Sequence, residues 1–138
     1  MILVGISIQD TSDDVLKLTK KILSLRVFED MANPPNTKTA WYGKPWAKSI
    51  CDIQGEILSV SQFTLYGTIQ KGTKPDFHKA AKGEIAVELY SEFLNQLKVG
   101  LGEDKVKDGE FGAMMDVSLV NDGPVTIIWD TKDTKSTI

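Results

Sequence analysis

Two hydrophobic periods alternate along this chain, and together they predict a mixed fold. Met1-Ile-Leu-Val-Gly-Ile-Ser-Ile8 is rich in β-branched residues and predicts a strand buried on both faces. The period then changes. Val15, Leu18, Ile22 and Leu25 form one apolar stripe of a helix, which Thr11 or Ser12 can cap, with Asp13 and Asp14 in the first turn where the dipole favours acids. From Met31 to Pro45 the composition shifts to Asn, Pro, Thr and Gly, which predicts a long surface loop. Trp41, Tyr42 and Trp46 lie in or beside it. Either they fold the loop back on the domain, the favoured reading, or they stand exposed for recognition.

Glu56–Tyr66 predicts the next strand, followed by a polar turn through Gly67, Lys71, Gly72 and Lys74 and a helix entry at Pro75 and Asp76. A longer helix is expected over Glu84–Val99, with Ala86, Leu89, Phe93 and Leu97 on its buried side and Gly100 and Gly102 ending it. Val106–Gly112 and Met114–Val120 read as strands, and after a Gly123-Pro124 turn so does Val125–Trp129. The elements imply an α+β fold: a mostly antiparallel, barrel-like sheet core with two main helices packed on it.

At 138 residues the chain is sized for one domain spanning 1–138, and 41% hydrophobic with 25% charged residues is the composition of a folded protein. The longest apolar run, Met1–Ile6, falls far short of the roughly 20 residues of a membrane span. It lacks the basic flank and cleavage site of a signal peptide. The lone cysteine, Cys51, has no partner for an internal disulfide, and a cytosolic location is expected. A net charge of −3 means that the overall field does not attract nucleic acid. An RNA substrate would need a local basic patch.

Candidate chemistry is limited by what the chain lacks. With one cysteine and one histidine, Cys51 and His78, a zinc site is not expected. The pair could serve a thiol mechanism, but the simpler reading packs Cys51 as a small hydrophobe and leaves His78 at a polar helix entry. A Ser-His-Asp triad would also need His78, and no nucleophile-elbow or glycine-rich phosphate motif is present. An enzyme built this way works on an intrinsically labile bond.

Two segments stand apart. Ser61, Gln62 and Thr64 interrupt an apolar strand, either as a satisfied hydrogen-bond network at a sheet end or as donors lining a pocket. Asn121-Asp122-Gly123-Pro124-Val125-Thr126 places Gly-Pro between strands, as an ordinary β-turn or around a cis-proline. With Ser61-Gln62-Phe63-Thr64-Leu65, this second segment resembles the paired signature motifs of D-aminoacyl-tRNA deacylases. Leu25-Arg26, Trp46-Ala-Lys48, Lys71-Gly72-Thr-Lys-Pro75 and Gly109-Glu-Phe111-Gly112 extend the resemblance in order, so that it runs from Leu3 to about Thr131.

The resemblance implies a homodimer without metal or organic cofactor that hydrolyses the ester between a D-amino acid, or glycine mischarged on tRNA-Ala, and the 3′-terminal adenosine of tRNA. It implies a catalytic wall of Ser61, Gln62, Phe63 and Thr64. Gly123 and Pro124 of the partner subunit, joined by a cis bond, would enter the pocket and receive the substrate amino group. Phe111 and Gly112 would lie near the adenine, and Lys71 and Lys74 near phosphates. Because the ester is already activated, amide N–H groups around Phe63 and Thr64 are expected to form an oxyanion hole, with Thr64 positioning rather than attacking. Two departures are expected. The chain starts at Met1-Ile-Leu-Val, after the hairpin and arginine with which such proteins normally begin, and its Met31–Pro45 loop is longer than usual. The rival readings are a non-catalytic nucleic-acid or nucleotide-binding module and a Cys51–His78 thiol hydrolase.

Overall fold

A computed structural model describes residues 1–34 and 41–133. The elements run β1 (Ile2–Val4), α1 (Ser12–Ser24), β2 (Phe28–Asp30), β3 (Lys44–Lys48), β4 (Ile57–Ser61), a 3₁₀ turn at Phe63–Tyr66, α2 (Gly83–Leu101), a second 3₁₀ turn at Glu103–Lys105 and β5 (Val106–Asp108). The α+β class is the expected one, but the sheet differs. Its three strands are ordered β1-β4-β5 and both pairings are parallel, with Ile2 opposite Ser59 and Ile57 opposite Val106. Among the described strands β2 and β3 alone pair antiparallel, in a separate two-stranded sheet, besides isolated antiparallel bridges at Ser7–Ala80 and Thr68–Asp76.

The mostly antiparallel, barrel-like core is therefore corrected, and the reason is connectivity. A helix lies between β1 and β4 and another between β4 and β5, and such crossovers return the chain in the same direction. The sheet is open. Met114–Val120 and Val125–Trp129, expected as strands, belong to no strand of the described residues, and residues 114–128 make no backbone–backbone hydrogen bond among them. Apolar side chains on these runs face outward, with Met114 100%, Val120 95% and Ile128 63% exposed. The first strand is also shorter than Met1–Ile8 and is not buried on both faces, since Leu3 is half-exposed.

Both helices fall where their periods put them. α1 has Thr11 as its N-cap and Asp13 and Asp14 in its first turn. α2 buries Ala86, Phe93 and Leu97 as expected, together with Tyr90 and Leu94, while Leu89 is only partly covered. Val4, Val15, Ile57, Phe93, Leu97 and Val106 join the two helices to the sheet. Ser59 is fully buried in the central strand, and its hydroxyl lies 3.1 Å from the Tyr90 Oη, which satisfies both groups.

Of the Met31–Pro45 loop, residues 35–40 lie outside the described residues. At its end Trp41 and Trp46 meet edge to face with centroids 5.4 Å apart, whereas Tyr42 is exposed. Pro75 and Asp76 do not begin a helix. Asp76 instead pairs with Thr68 in an antiparallel bridge, and α2 starts at Gly83.

Candidate active site

Strand β4 delivers its last residue, Ser61, to the rim of a cleft of about 670 Å³. Beyond it the backbone bends. The Gln62 N–H donates to the Val4 carbonyl at 2.7 Å, and the chain then tightens into the 3₁₀ turn at Phe63–Tyr66. The first amides of such a turn have no carbonyl behind them. Among the described residues neither the Phe63 nor the Thr64 N–H has an acceptor, whereas the Leu65 N–H donates to Gln62 O at 3.3 Å. Ser61, Gln62, Phe63 and Thr64 all line the cleft.

The Thr64 hydroxyl accepts a hydrogen bond from Gln62 Nε2 at 2.6 Å. An amide donor positions a hydroxyl but does not take its proton. The Phe63 ring packs edge to face on Phe77, with centroids 5.1 Å apart. Across the cleft lie Phe111 and Gly112, with Met114, Met115 and Val117 beyond them. Phe111 leans on Tyr90 at 5.6 Å between centroids, and Gly112 adopts a φ of +77°, a left-handed conformation that favours glycine. A third side comes from Lys82 and Gly83, where α2 begins without a side-chain cap, so its first N–H groups make that end positive.

Other expected residues fall elsewhere. Lys71 and Lys74 are exposed and do not line the cleft. Gly123 and Pro124 are joined by a cis peptide bond, and neither borders the cleft of its own chain. Their turn is braced internally, with Asn121 Nδ2 donating to Thr126 Oγ1 at 3.1 Å and the Val125 N–H to Asn121 Oδ1 at 3.4 Å.

Cys51 and His78 also lie outside the cleft. Cys51 is exposed rather than packed as a small hydrophobe, and His78 Nδ1 is 2.6 Å from the Asp76 carboxylate. The hydrogen bonds from His78 hold the Asp76 carboxyl below the usual carboxylate range. Among the described residues no three His, Cys, Asp or Glu side chains are grouped to hold a metal ion, and no helix is long and apolar enough to cross a membrane.

Sequence reasoning missed Lys82, Gly83 and the Met114–Val117 side of the cleft. A lysine and a glycine directly before a helical period were the available signal for the first two. It also missed a second cluster, where Asp10, Asp14, Asp130 and Tyr66 border a small cavity. Burial, followed by the charges of Asp10, Asp130 and Asp14, pushes the Tyr66 phenol up to about 12.

Residues 1–130, nearly the whole chain, match the family described as D-Tyr-tRNA(Tyr) deacylase. The chain belongs to this family. It is 59% identical over 131 residues to a D-aminoacyl-tRNA deacylase of Saccharomyces cerevisiae, an alignment covering 95% of this chain and 81% of that one. The deacylase-family chain is also 48% identical to the D-aminoacyl-tRNA deacylase of Drosophila melanogaster, covering 99% and 78% respectively. Among solved structures it resembles the c-Myc DNA Unwinding Element Binding Protein, with a TM-score of 0.78, 49% identity, and coverage of 91% of this chain and 76% of the other. A probable eukaryotic D-amino acid tRNA deacylase shares the fold at 19% identity and a TM-score of 0.61, with 81% and 74% coverage.

Proposed function

We propose that this protein hydrolyses the ester of D-aminoacyl-tRNA, and of glycine mischarged on tRNA-Ala, releasing the free amino acid and tRNA. The observation that carries this reading is the pair of acceptor-free amides at Phe63 and Thr64 on the wall of a cleft built from the family's own motif. An oxygen that gains charge at the ester carbonyl would meet two preformed donors there, in a site that needs no reorganisation as charge develops. Water adds to the carbonyl carbon, the ribose oxygen leaves, and the proton from water ends on that ribose oxygen. Thr64, held by Gln62, orients the reactants rather than attacking.

The cleft is completed by a second copy of the chain. Gly123 and Pro124 of one copy enter the cleft of the other and receive the substrate amino group. The internally braced turn outside its own cleft supports this arrangement, as does the exposed apolar face of residues 114–128. A D-side chain then points outward, while an L-side chain meets rigid backbone, so chirality is read by exclusion. The 3′-terminal adenine rests near Phe111 and Gly112. Lys71 and Lys74 meet phosphates, helped by Lys82 and the positive end of α2. Residues 1–138 act as one such domain, a metal-independent cytosolic editor.

The test is hydrolysis of D-tyrosyl-tRNA beside L-tyrosyl-tRNA by purified protein with chelator present. Release from the D-ester alone is expected. A second reading, nucleic-acid binding without turnover, draws on the solved relative named for DNA binding. Stoichiometric tRNA binding with no release from either ester would establish it instead.

A further inference from the structure

The Asp14 carboxylate sits in the first turn of α1 and is 5% exposed. Its Oδ1 accepts from Thr131 Oγ1 at 2.8 Å, and its Oδ2 accepts from Lys132 Nζ at 2.7 Å and from the Thr11 N–H at 3.0 Å. One side chain thus caps a helix and also grips the chain 117 and 118 residues further on. A second hold lies beside it, where Lys21 Nζ sits 5.6 Å from the centre of the Trp129 ring. Trp129, Asp130 and Thr131 together close a small cavity against β1, α1 and Tyr66.

These contacts matter because of what precedes them. Residues 114–128 make no backbone–backbone hydrogen bond among the described residues, so no sheet ladder fixes the Gly123–Pro124 turn, and its bonds from Asn121 and Val125 stay within it. Upstream, the near attachment is Met115, whose Sδ lies 3.4 Å from the Glu110 N–H. Downstream, Trp129 follows Pro124 after only five residues, a reach of at most about 18 Å.

We infer that Asp14 is a positioning residue for the Gly123–Pro124 turn, acting through its clasp on Thr131 and Lys132. This rests on the proposed role of that turn in the cleft of a second copy. A turn that excludes L-side chains must stand at one height and angle, and a displacement on the order of 1 Å can cost about a hundredfold in rate. The clasp supplies that constraint from a helix that never touches substrate. Its partners Thr131 and Lys132 lie outside the cleft.

The deciding variant is Thr131→Val with Lys132→Met, which opens the clasp and leaves the Asp14 bond to Thr11 in place. Lys132→Met alone serves if the double variant folds poorly. The order parameter of the Gly123 amide, from NMR relaxation, should fall in the variant while the helical circular dichroism is unchanged. With D-tyrosyl-tRNA, kcat should fall about tenfold or more with KM little changed, and the preference for the D- over the L-ester should narrow. Lys132→Arg should restore most of both. An unchanged Gly123 order parameter overturns the clasp whether or not the protein is active. An unchanged kcat and D-to-L ratio in an active protein overturns its positioning role. Wild-type protein that releases neither ester refutes the proposed function and so removes the turn's catalytic role, while the order parameter still reports on the clasp.

Discussion

At the scale of single residues, the proposed chemistry rests more on backbone than on side chains. Thr64 accepts from Gln62, and among the described residues no base bonds to its hydroxyl, so Thr64→Ala is expected to keep activity within about tenfold in single-turnover assays. An acyl-enzyme trapped on Thr64 would sink that view. Gly123 is different because its φ is +117° and an added Cβ would come within 2.9 Å of Val125 Cγ2. Gly123→Ala should therefore lower kcat/KM for the D-ester by at least about tenfold and cost about 1–3 kcal/mol of stability through backbone strain. Comparing thermal unfolding with kinetics separates the two effects. The strand expected over Glu56–Tyr66 ends at Ser61, but the polar residues Ser61, Gln62 and Thr64 were legible as an interruption of an apolar run. The freedom of two amides was not, because it follows from the bend that the Gln62–Val4 hydrogen bond imposes.

At the scale of elements, α2 is the pillar of the domain. Phe93 is 2% exposed and joins both helices to the sheet, so Phe93→Ala should cost about 3–5 kcal/mol in chemical denaturation. The start of α1 has an acid dependence of its own. Burial alone would raise the Asp14 carboxyl, but the hydrogen bonds from Lys132, Thr11 and Thr131 outweigh it and hold the group well below the usual carboxylate range. With the folded value depressed, the stabilisation is fully present above an unfolded value of about 3.9 and is lost as pH falls toward the folded one. The stability gap between wild type and Asp14→Asn should be widest above about pH 4 and narrow below it, measured by urea unfolding across pH. A gap independent of pH would show that the carboxylate charge contributes nothing. Both helices could be read from their periods. The parallel sheet could not be read from any one strand, since direction is set by the crossovers between them.

At the scale of the whole molecule, charge and exposed apolar surface point to two different partners. Lys71, Lys74, Lys79 and Lys82 face a single acid, Asp76, over residues 71–82, although the chain as a whole carries −3. If this stretch meets tRNA, KM should rise with salt, with a logarithmic slope of about 0.7 for each phosphate contacted. Lys71→Ala with Lys74→Ala should lower that slope. If the exposed apolar run through Val120 and Ile128 docks a second copy, as proposed, sedimentation should give a dimer at micromolar concentration. Val120→Asp should shift it toward monomer and remove activity with it.

Helix placement, the strand that leads into the first motif, the Gly-Pro turn and the family itself were all readable from residue order, because they depend on periods and signatures confined to short stretches of chain. The parallel sheet, the exposed Cys51, the cleft walls at Lys82 and Met114, and the grip of Asp14 on Lys132 were not. Each of these depends on which distant segments meet. A carboxylate in a helix's first turn looks like an ordinary cap until the chain more than a hundred residues later folds back to bind it.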